Sequence, residues 1–214
     1  MVEAYIIDAI RTPTGRRKGG LSHVHPADLG AHVLRHIVER NAVPDADYDD
    51  VMFGCVDTIG PLAGDIARTA WLAAGLDQGV PGTTIDRQCG SSQQAVHFAA
   101  QAIMAGVNDI VVAGGVQTMT QIPISAAMMA GQSFGFGDPF TGSKGWVERY
   151  GDGLVTQFNS AEMIAEKWNC SRQDMEAFSL ESHKRADRAI KEGRFNKEII
   201  PLEGVVMDET VRAD

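Results

Sequence analysis

Thr83-Thr84-Ile85-Asp86-Arg87-Gln88-Cys89-Gly90-Ser91-Ser92-Gln93-Gln94-Ala95 is the stretch whose reading decides the fold. Thr83-Thr84-Ile85 is a short β-favouring run. After Gln93 an apolar-periodic segment begins with Ala95, Val96, Phe98, Ala99, Ala102, Ile103 and Met104. This predicts a strand, a sharp turn of small residues and a buried helix, with Cys89 at the turn. A helix N-terminus presents backbone N–H groups and a partial positive charge, which favour a thiolate over a thiol placed there. Gly90, Ser91 and Ser92 are small enough for an acyl group to approach, and their N–H groups are candidates to hold an oxyanion. A buried, inert cysteine is the other reading of the same residues.

Working outward, the 214 residues suffice for one large domain or one and a half ordinary ones. A hydrophobic content of 44% and a charged content of 22% are those of a globular chain. The net charge of −9 is spread along the sequence, which argues against a nucleic-acid footprint. The three cysteines, Cys55, Cys89 and Cys170, match no zinc spacing, and their odd number disfavours a disulfide framework. A reducing cytoplasm is therefore the expected compartment. No apolar run reaches membrane-spanning length, and the start at Met1-Val2-Glu3 shows no signal-peptide pattern.

Strands and helices alternate along the first half. Ala4 to Ile10 reads as a buried strand, followed by the loop Arg11 to Gly20. Arg16, Arg17 and Lys18 there are candidates for a phosphate contact, with a solvated loop or a subunit contact as the favoured reading. Pro26 to Asn41 reads as a helix, with Leu29, Val33, Leu34, Ile37 and Val38 on one face. His32 and His36 stand four apart, but no third ligand accompanies them, so they read as ordinary helix residues. His23 and His25 are loop histidines. Asp49 to Val56 reads as a strand whose end carries Cys55, taken as core with the active-site side as the alternative. Ile66 to Ala74 reads as a helix. Asp109 to Gly115 is apolar in its middle, as buried parallel strands are. This rhythm implies α/β layering with right-handed crossovers.

Residues 116–158 change composition, with Met119, Met128, Met129, Phe134, Phe136, Phe140 and Trp146, and read as an irregular insertion of the kind that often shapes a binding site, with plain packing against the core the favoured reading of any single Met. Ser160 to Trp168 is amphipathic. Ser171 opens a second helix as its N-cap, and Gly193 ends it. His183 reads as a partly exposed helix residue, and Cys170 has no assignable chemistry. Glu198 to Leu202 reads as an edge strand because of Pro201.

Taken together, the chain resembles the N-terminal portion of the thiolase family, the acetyl-CoA acetyltransferases and 3-ketoacyl-CoA thiolases. The collinear matches are Arg11-Thr12-Pro13, Ala67-Arg68, Ala73-Ala74-Gly75-Leu76, the Cys89 motif and Ala113-Gly114-Gly115 with Met119. Ala161-Glu162 and the run from Ser171 through His183 to Pro201 follow. The resemblance implies a thiolase-like layered α/β fold, an α/β/α core with an inserted loop domain, incomplete in this chain. Residues 1–117 would form the core domain, and residues 118–214 a truncated loop domain over CoA. It implies that Cys89 is the acyl-thioester nucleophile of a thiolytic cleavage of 3-ketoacyl-CoA, or of the reverse Claisen condensation. It further implies CoA and acyl-CoA as substrates, no metal, no permanently bound cofactor, and a homodimer or homotetramer. A ketoacyl-synthase-like condensing enzyme and a non-catalytic acyl- or sterol-binding protein are the alternatives.

Several positions depart from the family pattern. Asp86 stands where Asn is common, Ser91-Ser92 where Ser-Gly is common, and Gln117 where Glu is common; Gln93-Gln94 resembles a degradative subgroup. Thiolases are close to twice this length. The second half would bring the activating histidine, a second cysteine and the other half of the pseudo-symmetric core. The expectation is that these 214 residues alone neither fold normally nor turn over.

Overall fold

The computed structural model describes residues 3–153 and 155–212; Met1 and Val2 of the start, Leu154 of the 116–158 insertion, and Ala213 and Asp214 at the end of the expected 118–214 domain lie outside the described residues. Contacts divide the chain into two compact units, Met1–Ala127 with Asn196–Thr210, and Met128–Phe195 with Val211–Asp214. Residues 118–127 and 196–210, read from the sequence as parts of the covering domain, thus pack with the first unit.

The first unit is built on a parallel sheet of β1 (Asp50–Gly54), β2 (Gly82–Ile85) and β3 (Val111–Gly115), in the order β2-β1-β3. Gly54 is the partner of both Ile85 and Gly115. Helices α1 (Pro26–Asn41), α2 (Ile66–Ala73) and α3 (Ser91–Met104) follow the apolar periodicities of the sequence. Successive strand side chains point to opposite faces. Phe53 meets Gly30 of α1, whereas the adjacent Gly54 faces Ser91 and Ser92 of α3. The layering is therefore α/β/α. The α1/α2 face holds the core, with Leu34, Val51, Leu62, Ile66, Ala70 and Trp71 all at 0% exposure. Each large apolar side chain there contributes about 1.5–3 kcal/mol. The α3 face is less covered, and Val96, Phe98 and Met104 are exposed.

Three expectations are corrected. Ala4 to Ile10 is not a strand: Tyr5, Ile6 and Ile7 are exposed, and the segment's nearest ladder contact is the single parallel bridge Arg11↔Ile199. A strand needs a hydrogen-bonding neighbour, and sequence pattern alone does not supply one. β3 is half-buried rather than buried, because it forms one edge of the sheet. Glu198 to Leu202 contributes bridges only, Arg11↔Ile199 and Leu202↔Val205. Backbone bonds tie it to Arg11, whose N–H donates to Glu198 O (2.8 Å) and whose carbonyl accepts from Ile200 N–H (2.9 Å), and side chains add to these over residues 198–209. Arg11 binds Glu198 at 2.7 Å and Asp208 at 2.6 Å, and Glu209 accepts from the backbone N–H of Arg16 and Gly20.

The second unit is helical. After α4 (Ala126–Ala130), which straddles the two units, come α5 (Lys144–Tyr150), α6 (Gln157–Trp168) and α7 (Arg172–Lys191). The insertion read as irregular thus holds short helices, α5 being capped by the Ser143 hydroxyl. Phe140, Trp146 and Tyr150 stack in sequence, with centroids 4.6 and 4.7 Å apart. Ser171 and Asp174 form the capping box that starts α7. Three i,i+4 ion pairs then line that helix, Arg172–Glu176, Glu181–Arg185 and Asp187–Lys191.

Candidate active site

In a parallel sheet the loops after the strands gather at one end, where α/β folds hold their ligands. Here that end brings together Cys55 after β1, Asp86 to Cys89 after β2, and Val116 and Gln117 after β3. Cys55 N–H donates to Ile85 O (3.0 Å), and Val116 N–H to Gly54 O (3.2 Å). Cys55 is buried at 1% exposure, and burial, with the Asp57 and Asp86 charges, pushes its thiol up to about 11. Of its two readings, the core one holds.

Cys89 is exposed, on a turn built from polar local contacts. The Asp86 carboxylate accepts from Gln88 N–H at 2.8 Å, an Asx-turn. An Asn would offer the same oxygen, so Asp86 is no obstacle to the turn. Gln88 takes the left-handed conformation (φ +50°), rare for a residue with a Cβ. The Ser91 hydroxyl accepts from Arg87 N–H (2.9 Å) and donates to Gln88 O (2.6 Å), stapling the turn to the helix. Helix α3 starts at Ser91 with Gly90 as its N-cap, three residues earlier than the apolar pattern indicates. Polar Ser91 and Gln94 are buried there, which hides the start from a hydrophobic reading.

The seat of this helix is a pair of glycines. A Cβ on Gly54 would lie 2.2 Å from Ser92 N and 2.4 Å from Ser91 C; one on Gly115 would lie 2.1 Å from Ser92 Oγ. The sheet therefore takes Ser92, with its extra side chain, because Gly115 leaves room for the hydroxyl. Of the first-turn amides expected to hold an oxyanion, two already have backbone acceptors and the third lies close over the sheet. Gly90 N–H donates to Arg87 O (3.1 Å), Ser91 N–H donates to Gln88 O (3.0 Å), and Ser92 N is pressed against Gly54.

The remaining candidates lie elsewhere. His25 caps α1, its Nδ1 accepting from Ala27 N–H. His36 Nδ1 lies 2.7 Å from His32 O, and burial holds His32 below the ordinary histidine value. His183 Nδ1 accepts from Arg212 N–H, and Cys170 lies exposed between α6 and α7. Among the described residues no group of three His, Cys, Asp or Glu is placed to hold a metal. No helix of the described residues is long and apolar enough to cross a membrane. A shallow hollow of about 460 Å³ opens beside β2, lined by Asp65, Thr83 and Asp86 among others, and Cys89 is not part of its lining. Sequence reasoning missed Gly54, Gly115 and the contacts of Gln117. The first two give no local signal, because what they approach is distant in sequence.

The profile described as "Thiolase, N-terminal domain" matches residues 4–214. The chain is 57% identical over 203 residues to the steroid 3-ketoacyl-CoA thiolase FadA6 of Mycobacterium tuberculosis, covering 95% of this chain and 50% of that protein. It is 40% identical over 210 residues to the 3-oxoadipyl-CoA/3-oxo-5,6-dehydrosuberyl-CoA thiolase of Escherichia coli K12, covering 94% and 52%. The crystal structure of the Bacillus anthracis acetyl-CoA acetyltransferase superposes with a TM-score of 0.79 at 31% identity, covering 100% of this chain and 56% of that one. The chain thus spans about half the length of the curated relatives it matches. A parallel sheet seating a cysteine turn on two glycines, and a profile match from residue 4 to residue 214, lead to one conclusion: this chain belongs to the thiolase family and carries its N-terminal domain.

Proposed function

We propose that the complete protein is an acyl-CoA acyltransferase that cleaves 3-ketoacyl-CoA by thiolysis, with Cys89 as nucleophile. The observation that carries this reading is the exposed Cys89 on a stapled turn at the carboxyl end of the sheet. The names of relatives such as these, 3-ketoacyl-CoA and β-ketoadipyl-CoA thiolases, support the substrate class and do not favour a ketoacyl synthase or a non-catalytic binder.

In this mechanism the Cys89 thiolate attacks the keto carbon, and a carbon–sulfur bond forms. The bond between that carbon and the α-carbon then breaks, its electron pair leaving on the α-carbon, which takes a proton to give acetyl-CoA. The shortened acyl group stays on sulfur as a thioester. The thiol of a second CoA attacks that thioester, loses its proton and restores Cys89. Covalent catalysis of this kind splits one difficult step into two easier ones. The proton transfers are assigned to the second half that the relatives carry beyond the matched region. CoA and acyl-CoA are the only small-molecule partners of this scheme, with no metal or resident cofactor. A cytoplasmic homodimer or homotetramer with a degradative role in lipid metabolism completes the reading.

Replacing Cys89 by Ala in the complete protein should abolish the acyl-enzyme formed with radiolabelled acyl-CoA. Label retained on the Cys89→Ala protein would overturn the assignment.

A further inference from the structure

Gln117 sits just past β3, outside the Cys89 turn, yet its side chain reaches across to the end of β1. Its Oε1 accepts from Val56 N–H at 3.2 Å and from the Cys55 thiol at 3.4 Å. Its Nε2 is buried without a hydrogen-bond partner. Leaving an amide donor unpaired is costly, so the Oε1 contacts must hold this orientation against that cost. The segment they hold is the one under the cysteine turn. Cys55 N–H fixes Ile85 O, the last residue of β2 and the base of the turn. Gly54, one residue earlier, is the seat of Ser91 and Ser92. The Gly54–Val56 segment therefore supports the Cys89 turn at both its strand end and its helix end, and Gln117 is the side chain that fastens it.

We infer that Gln117 is a positioning residue that sets the placement of Cys89 through the Gly54–Cys55–Val56 segment. This rests on the reading of Cys89 as nucleophile. Gln117 itself touches neither substrate nor Cys89 in the role assigned to it. The requirement is an acceptor at this reach, which a carboxylate also provides.

The test uses the complete protein with Gln117→Met and Gln117→Glu. The readouts are the pH profile of Cys89 alkylation by iodoacetamide, located by peptide mass spectrometry, and kcat and KM for thiolysis of acetoacetyl-CoA. Gln117→Met removes the acceptor at nearly constant volume. It should lower kcat about tenfold, a loss of transition-state placement comparable in size to one buried hydrogen bond, with KM little changed and the alkylation profile displaced. Gln117→Glu should restore most of kcat. If Gln117→Met does not fold, Gln117→Asn, whose acceptor is withdrawn by one methylene, carries the same expectation. A Gln117→Met or Gln117→Asn protein with lowered Tm but unchanged kcat and profile would overturn the inference and leave Cys89 as nucleophile. Acyl label persisting on Cys89→Ala would instead overturn the nucleophile reading itself.

Discussion

Gly54→Ala is the sharpest perturbation the fold offers, because one methyl group meets only backbone. The new Cβ would lie 2.2 Å from Ser92 N, 2.4 Å from Ser91 C and 2.7 Å from Ser92 Cα, where 3.4 Å begins ordinary contact. The first turn of α3 must retreat by more than 1 Å, and no side-chain rotation relieves it. Overpacking a well-filled site costs roughly 1–3 kcal/mol, and a clash with backbone alone belongs at the upper end, about 3 kcal/mol. The reduced freedom of the unfolded chain returns only about 0.4–1 kcal/mol. The displaced turn also carries Cys89, so stability and reactivity should fall together. The assay pairs chemical denaturation of the complete protein with the rate of Cys89 alkylation. Gly114→Ala is the control on the neighbouring strand, since its Cβ would meet the Phe53 ring at 3.4 Å, an ordinary contact. Gly54→Ala with the denaturation midpoint and alkylation rate of Gly114→Ala would refute the claim that α3 sits directly on β1.

Three further outcomes follow from the same contacts. Iodoacetamide at mildly alkaline pH should label Cys89 and Cys170 but spare Cys55, which is buried and held up to about 11; Cys55 labelled in the native protein at the rate of Cys170 would contradict that. The hydrogen bond from Arg11 holds the Asp208 carboxyl below its ordinary value. A depressed carboxyl stabilises the fold above the unfolded value, about pH 4, and that contribution is lost as pH falls through the folded one. Asp208→Asn should therefore destabilise the protein at neutral pH by about 1–3 kcal/mol, and the gap from wild type should close in acid; a gap that stays constant with pH would exclude the ion pair as its cause. Ser171→Ala should cost about 1 kcal/mol through loss of the capping box, seen as faster amide exchange in the first turn of α7; unchanged exchange there would count against it.

Much of this was legible in the residues. The helix Pro26–Asn41 coincides with its apolar face and first-turn proline, and Ser171 with Asp174 announces α7. Cys89 stands out because a strand-like run and a periodic run flank it. What was not legible depends on partners far along the chain. Tyr5, Ile6 and Ile7 have the composition of a buried strand but, among the described residues, no ladder beside them, and composition does not reveal which neighbour a strand requires. Gly54 and Gly115 look like any other strand-end glycines until Ser92 is seen against them. The start of α3 precedes the apolar pattern because buried Ser91 and Gln94 carry no apolar signal. The Gln117 side chain spans from the third strand to the first, a contact between positions some sixty residues apart.

The path of the backbone has an evolutionary consequence. The chain leaves the sheet-bearing unit after Ala127 and is back in it at Asn196, anchored there by Arg11 with Glu198 and Asp208. Residues 128–195 are accordingly a cassette suspended by both ends, and insertions or exchanges within it leave the scaffold's own connectivity intact. Changes of length or sequence inside the cassette therefore need not disturb the two glycines on which the sulfur-bearing turn rests.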